Sequence, residues 1–414
     1  MDDHAIVLNA GSSSLKFSIY RRPDAANRGG ETSASNRGGG ASAPLWTVDL
    51  RGQIDGIGSS PRFTAKDGSD TRVADDRLAQ GLDGRGAFDA LALWLRARYG
   101  GDARVLGVGH RVVHGGAKYA RPTIVTGEVL TDLRALVPLA PLHQPYNLAA
   151  IDAVSERLPG VPQVACFDTS FHRGQPAVAE VVPLPRDLCR GGVQRYGFHG
   201  LSYEYIASVL PDVAPEIAHG RVIVAHLGSG ASLCAMKNLK SIDSTLGFTA
   251  LDGLCMGTRP GSIDPGVILH LVQTLGLSAK DLETVLYKKS GLLGISGISN
   301  DMRNLLDSSE PGAHLAVDYF VYQAAKQIGG LAAALGGVDG LVFTAGIGEN
   351  SAEIRKRICQ ASAWLGIDFD EEANTARGPR ISRAGSRVSA WVVPTNEELI
   401  IARHTGQLLG LGSG

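Results

Sequence analysis

The chain has 414 residues, 44% of them hydrophobic and 20% charged, and its 40 Lys and Arg against 41 Asp and Glu leave a net charge of −1. This is the composition of a folded protein of two or three domains with a sizeable core; it excludes disorder, and it excludes a bulk basic field for nucleic acid or anionic membrane. Gly is in excess at 53 residues, nearly twice the roughly 7% of an average protein, and without a Gly-X-Y period the excess needs local causes: turns, loose loops, or backbone approaching a ligand.

The N-terminus, MDDHAIVLNAGSSS, is acidic with a short apolar run and does not read as a signal peptide. Two strands are predicted around its Gly/Ser turn, Ala5 to Leu8 and Leu15 to Tyr20. Residues 21–44, rich in Gly, Ser and Asn, read as an exposed insertion. A strand is predicted from Leu45 to Leu50, and another from Val105 to Val108 that stops at Gly109-His110-Arg111. A helix over Tyr146 to Leu158 precedes a strand from Val161 to Phe167, ending at Asp168. Val222 to Ala225 is a strand running into His226-Leu227-Gly228-Ser229-Gly230. An Ala-rich buried helix spans His314 to Leu335. The strand Gly340 to Ala345 feeds a turn, Gly346 to Asn350, and a helix from Ser351 with a capping box over Asn350 to Glu353. The last strand, Val388 to Val393, leads to a final helix. Strands alternating with helices argue an α/β fold. IVLNAGSSSLKF at 6–17 and IVAHLGSGASLCA at 223–235 form a faint repeat, consistent with two domains of related build.

Three strands end at Gly-containing turns, 9–14, 226–230 and 346–350, where exposed backbone N–H groups can meet phosphate. A tight turn needs Gly for steric reasons alone, so each is weak by itself; three together favour a nucleotide. No GK dipeptide and no GxGxxG after the first strand occur, which excludes the familiar phosphate loops. Arg111 in GHRVVHGG and Arg259 in MGTRPGSIDP are bracketed by Gly or Pro, and a guanidinium there suits carboxylate or phosphate oxygens. His143, His199 and Asp168 are polar groups in apolar or Gly-rich settings; a hydrolase triad is disfavoured because no GxSxG elbow exists. Thr395 with Glu398 fits a capping box, leaving Glu397 for another task. Five scattered cysteines (Cys166, Cys189, Cys234, Cys255, Cys359) without a CxxC pair argue against a disulfide framework and a thiolate zinc site, and fit a reducing cytoplasm best.

In their order, NAGSSSLKF, GHRVVHGG, APLHQP, FDTSFH, RYGFHG, HLGSGAS, GTRPGSIDP, FTAGIGEN and VPTNEE resemble the motifs of the acetate kinases, over nearly the whole chain. The resemblance implies the actin-like ATPase (ribonuclease H-like) fold: two related α/β domains around a nucleotide cleft, residues 1–168 with 395–414 and residues 169–394, in a cytoplasmic homodimer. It implies ATP and ADP, acetate and acetyl phosphate as substrates, with Mg²⁺, or Mn²⁺ in its place, held by Asn9 and Glu397. Ser12, Ser14 and Lys16 would lie near the phosphates. His226, Leu227, Gly228, Ser229 and Gly230, with Gly346, Ile347, Gly348, Glu349 and Asn350, would line the nucleotide, and Asp301, Met302 and Arg303 would seat adenosine. Arg111, Asp168, His199 and Arg259 would be catalytic. Arg111 would bind the carboxylate, beside His143 and a methyl pocket of Val113, Leu142 and Phe198.

The chain departs from the family pattern in five places: Ala250 replaces a pocket proline, Ser229 replaces Asn, Leu201 and Tyr203 replace Thr and His, and the 21–44 insertion is long. A propionate kinase is the nearest alternative, because one methylene in an apolar pocket is worth only roughly 1–3 kcal/mol. A non-catalytic actin-like switch is more remote, since it has no need of Arg111, Arg259 and His199 together.

Overall fold

The structure, a computed structural model, describes residues 3–22, 46–100 and 104–411. Apart from residues 21 and 22, the predicted insertion lies outside them. The chain divides into two compact units, Met1–Ser170 with Asn396–Gly414, and Phe171–Thr395.

The first unit is built on an eight-stranded sheet. Its strands are β1 (Asp3–Ala10), β2 (Ser14–Arg21), β3 (Thr47–Asp55), β4 (Arg62–Asp67), β5 (Arg72–Arg77), β6 (Arg104–Val112), β7 (Thr123–Ile124) and β8 (Gln163–Phe167), in the order β5-β4-β3-β2-β1-β6-β8-β7. β1 pairs antiparallel with β2 and parallel with β6, and β6 pairs parallel with β8. Ala5 to Leu8 are all buried, as a central strand covered on both faces requires. One face carries α1 (Gly84–Tyr99) and α2 (Gln144–Arg157), where Ile6, Leu8 and Val108 pack with Phe88, Leu91 and Val154. Against the other lies the C-terminal helix, Glu397–Leu408.

That helix docks where β6 has no side chains. A Cβ at Gly107 would come within 2.3 Å of Leu409, and one at Gly109 within 2.4 Å of Thr405 Oγ1. Gly109 therefore serves helix–sheet packing. β6 does not stop at Gly109 as the sequence implied; its ladder continues to Val112, so Arg111 is a strand residue paired with Cys166.

The second unit has a five-stranded sheet of β9 (Arg221–Leu227), β10 (Ala231–Lys237), β11 (Lys240–Ser244), β12 (Gly340–Thr344) and β13 (Ser389–Val392), in the order β11-β10-β9-β12-β13. β9 pairs antiparallel with β10 and parallel with β12, and β12 pairs parallel with β13. This reproduces the β2-β1-β6-β8 pattern of the first unit, and the two repeated segments are the corresponding hairpins. α3 (Gly200–Val213) packs Tyr203, Ile206 and Leu210 onto Val222, Val224 and Val342. Among the other helices are α4 (Pro265–Gln273), α5 (Pro311–Leu335), α6 (Ala345–Asn350) and α7 (Ala352–Ala361).

Two local expectations change. Gly346 to Asn350 are not a turn but the helix α6, and the left-handed residue that starts it is Ala345, with φ of 65°. The helix caps also shift by a residue: Ser351 caps α7, and Asn396, not Thr395, caps the C-terminal helix by accepting from Leu399 N at 3.0 Å.

Candidate active site

In the first unit the sheet topology brings four polar groups to the C-terminal ends of adjacent strands and to one helix start: Asn9 on β1, Arg111 on β6, Asp168 after β8, and Glu397 at the start of the C-terminal helix. Arg111 donates to both Asp168 oxygens, Nε at 3.0 Å and Nη2 at 2.6 Å, and its Nη1 donates to Asn9 Oδ1 at 3.2 Å. Glu397 Oε2 lies 4.0 Å from Arg111 Nε. The Asp168 side chain is 2% exposed and that of Arg111 20%, so the clamp is nearly dry while part of the guanidinium still reaches the surface. Burial by itself would lower the Arg111 pKa; Asp168 and Glu397 more than offset it and hold the group charged. Burial raises the Glu397 carboxyl to about 7; Arg111 opposes that rise, and Asp168 and Glu398 add to it.

The donor set suits a hard cation. Asn9 and Glu397 offer oxygens, and the acidic groups exceed the single guanidinium. No group of three or more His, Cys, Asp or Glu that could hold a metal occurs among the described residues.

Asn147, on the buried face of α2, is a residue that sequence reading missed. Its Nδ2 donates to Ala10 O at 2.7 Å and its Oδ1 accepts from Val113 N at 3.0 Å. It thus ties the turn after Asn9 to the segment after Arg111; an Asn among the apolar positions of a predicted helix was the available signal. Val113 is buried, and Leu142 and His143 are partly so, at the entry to α2. Ser12 and Lys16 are exposed on the β1–β2 hairpin and Ser14 is partly covered. Phe198, predicted to share a pocket with Val113 and Leu142, belongs to the second unit.

In the second unit His199, Arg259 and the β9–β10 turn come together. A Cβ on Gly230 would lie 2.9 Å from Arg259 Nη2 and 3.2 Å from His199 Nε2. Neither Gly228 nor Gly230 has a positive φ; Gly230 is there for close approach. Arg259 Nη1 donates to Ala250 O at 2.7 Å, so the residue that replaces a family proline anchors an arginine through its backbone. His199 caps α3 in the left-handed region, φ 58°, a strain that non-Gly residues store mainly at functional sites. Its ring stacks on His226 with centroids 4.2 Å apart and planes 18° apart.

The remaining nucleotide candidates divide by what their side chains do. Leu227 and Met302 are buried, leaving only backbone for a ligand. Asp301 caps the helix Met302–Leu306 and pairs with the exposed Arg303. The Glu349 carboxylate turns inward, accepting from Ala345 N at 2.8 Å and Thr395 N at 3.0 Å, and Asn350 Nδ2 donates to Gly346 O at 2.9 Å. Gly346 and Ser229 are exposed, while Gly348 is buried and Ile347 partly so. Arg355, missed by the sequence reading, lies fully buried on α7 and donates to the carbonyls of Gly348 at 3.0 Å and Glu349 at 2.9 Å.

The model of the acetokinase family matches residues 4–403. The chain belongs to the acetokinase family. It is 49% identical over 411 residues to an acetate kinase of Rhodopseudomonas palustris, covering 99% of each chain. It is 50% identical over 412 residues to one of Nitrobacter hamburgensis, covering 98% of this chain and 96% of that one. Among solved structures, a Francisella tularensis propionate kinase matches with TM-score 0.86 and 33% identity, over 98% and 99% of the two chains. A Porphyromonas gingivalis acetate kinase matches with TM-score 0.82 and 35% identity, over 98% and 100%. These likenesses make the acetokinase a phosphotransferase with a carboxylate acceptor, in the actin-like ATPase fold.

Proposed function

We propose that this acetokinase transfers the γ-phosphoryl group of ATP directly to acetate, reversibly, giving acetyl phosphate and ADP. The observation that carries the reading is the Asp168-clamped Arg111, a largely buried cation beside Asn9 and Glu397. Acetate preference over propionate follows the acetate kinases at 49–50% identity, against 33% for the propionate kinase.

Arg111 binds the acetate carboxylate and Asp168 fixes the guanidinium. Val113 and Leu142 line the site of the methyl group, and His143 borders it. A carboxylate is already ionised at neutral pH, since such groups titrate near pH ~4, so no general base is needed. One carboxylate oxygen attacks the γ-phosphorus in line, the bond to the β,γ-bridging oxygen breaks, and ADP leaves. Phosphoryl transfer of this kind depends on positioning and on neutralising the equatorial oxygens; Arg259 and His199 supply preorganised donors for that. Asn9 and Glu397 would hold Mg²⁺, which neutralises phosphate charge when bound. The nucleotide is held by Ser12, Ser14, Lys16, residues 226–230 and 346–350, and Asp301 to Arg303.

A homodimer is the assembly we infer. α4 carries Val267, Ile268, Leu269, Leu271 and Val272, yet none of its residues is buried. Leu275 beyond it and Val181, Leu184 and Leu188 in the same unit are exposed as well, more apolar surface than a monomer usually shows. Replacing Leu269 and Val272 by Glu should yield monomers in sedimentation velocity; an unchanged mass for that variant would remove α4 from the interface. ADP formation measured with acetate, propionate and butyrate tests the activity. The reading predicts the highest kcat/KM for acetate, and no carboxylate-dependent turnover would overturn it.

A further inference from the structure

The stacked pair His199 and His226 is wired on its far side by two separate hydroxyl chains, neither of which the proposed chemistry uses. His199 Nδ1 lies 2.8 Å from Ser232 Oγ, and Ser232 Oγ lies 2.5 Å from the Tyr203 hydroxyl. His226 Nδ1 lies 2.8 Å from Ser202 Oγ, which donates to Thr395 Oγ1 at 2.9 Å. Tyr203, Ser232 and Ser202 are fully buried.

Proton counting fixes the direction of each chain. Burial pushes the Tyr203 phenol well above its usual range, so it keeps its proton, and among the described residues Ser232 is its hydrogen-bond partner. Tyr203 therefore donates to Ser232, since the reverse leaves a buried O–H unmet, which protein interiors avoid. Ser232, having accepted, donates its own proton to His199 Nδ1. An imidazole accepting at Nδ1 carries its proton on Nε2, the atom that lies beside Gly230 and Arg259. In the second chain Ser202 spends its proton on Thr395, so it accepts from His226 Nδ1–H, and Nε2 of His226 is left as the acceptor.

We propose that Tyr203 and Ser232 are positioning residues that hold His199 as the neutral Nε2–H tautomer, a fixed donor to the transferring phosphoryl group, while Ser202 and Thr395 hold the stacked His226 in the opposite tautomer. The catalytic use of that donor rests on the acetate kinase reading; the tautomers do not. The arrangement gives the Tyr203 departure from the family pattern a task, and it makes His199 an electrophile rather than a base, in keeping with a nucleophile that needs no deprotonation.

Long-range ¹H–¹⁵N correlation spectra of the histidine-labelled, full-length enzyme at pH about 8, where ordinary imidazoles are neutral, read both tautomers directly; H199Q and H226Q assign the signals. The expected result is Nε2–H for His199 and Nδ1–H for His226. In Y203F the His199 signals should move toward a tautomer mixture with His226 unchanged, and kcat should fall about two- to tenfold, the worth of one ordinary hydrogen bond, at unchanged KM for acetate. T395V should move His226 and leave His199 in place. An Nδ1–H His199 in the wild-type enzyme overturns the inference whether or not any variant folds, as does a tautomer that Y203F leaves unmoved. Tautomers as assigned in an enzyme without carboxylate-dependent turnover would overturn the functional reading and the catalytic use of the donor.

Discussion

Replacing Asp168 by Asn tests the clamp on which acetate binding depends. The two side chains have the same shape, but the carboxylate accepts two charge-assisted bonds from Arg111, at 3.0 and 2.6 Å, each worth roughly 1.5–3 kcal/mol. An amide can accept one of them and turns its NH₂ toward a cation. Removing one partner of a buried ion pair costs about 3–5 kcal/mol. Here Arg111 is 20% exposed and Glu397 lies 4.0 Å away to take up part of the charge, so the lower end applies, about 3 kcal/mol. If half or more of that appears as lost orientation in the transition state, kcat/KM for acetate falls roughly tenfold to hundredfold, at 1.36 kcal/mol per decade. Steady-state ADP formation measures the catalytic part, and urea unfolding without substrates measures the rest. D168N should lower both, with KM for ATP nearly unchanged. A kcat/KM for acetate within threefold of wild type would refute the view that Asp168 acts by orienting Arg111.

R355M removes a buried cation that donates to the Gly348 and Glu349 carbonyls and to Asn374 Oδ1; KM for ATP should rise about tenfold and stability fall by about 3 kcal/mol, with KM for acetate unmoved. Equal changes in both KM values would deny it a nucleotide-side role. G230A places a methyl group 2.9 Å from Arg259 Nη2 and 3.2 Å from His199 Nε2, so kcat should drop about tenfold to hundredfold by misplacing donors while the urea midpoint stays put; normal kcat would mean that neither group is held in its working position. His110 and His172 are pushed down to about 4 by burial, opposed by the hydrogen bonds to Gln163 and Phe198 O respectively. The unfolded chain, with imidazoles near 6.5, binds more protons, so their contribution is present above pH 6.5 and is lost as pH falls through 4, up to about 3 kcal/mol each. Glu397, raised to about 7 by burial, contributes with the opposite sign between its unfolded pKa and 7, and E397Q removes that contribution. On the E397Q background the urea midpoint should fall steadily below pH 6.5; a flat profile down to pH 5 would contradict neutral, buried histidines.

Local patterns carried most of the fold. Full apolar runs such as Ile6 to Leu8 and Val222 to Ala225 show as buried strands, and the two Gly/Ser hairpins reveal the shared β2-β1-β6-β8 and β10-β9-β12-β13 build. Chemistry at strand ends was legible because it needs unusual residues in fixed motifs. What escaped depends on distance along the chain. Gly109 looks like a catalytic neighbour of Arg111, but its reason is Thr405, on a helix nearly three hundred residues away. Glu349 sits in a nucleotide motif, yet Thr395 N engages its carboxylate. Tyr203 looks like a mere departure until Ser232 and His199 are seen beside it. Gly346 suggested a turn because Gly so often allows positive φ, whereas Ala345 bears the strain, its N–H held by Glu349.

The central claim is that an acetate oxygen, presented by Arg111, becomes bonded to the γ-phosphorus of ATP. ³¹P NMR of acetyl phosphate made from doubly ¹⁸O-labelled acetate reads that bond directly, because oxygen-18 attached to phosphorus shifts its resonance. Direct transfer predicts one ¹⁸O on the phosphorus of every acetyl phosphate formed, and product whose phosphorus carries only unlabelled oxygen would contradict it.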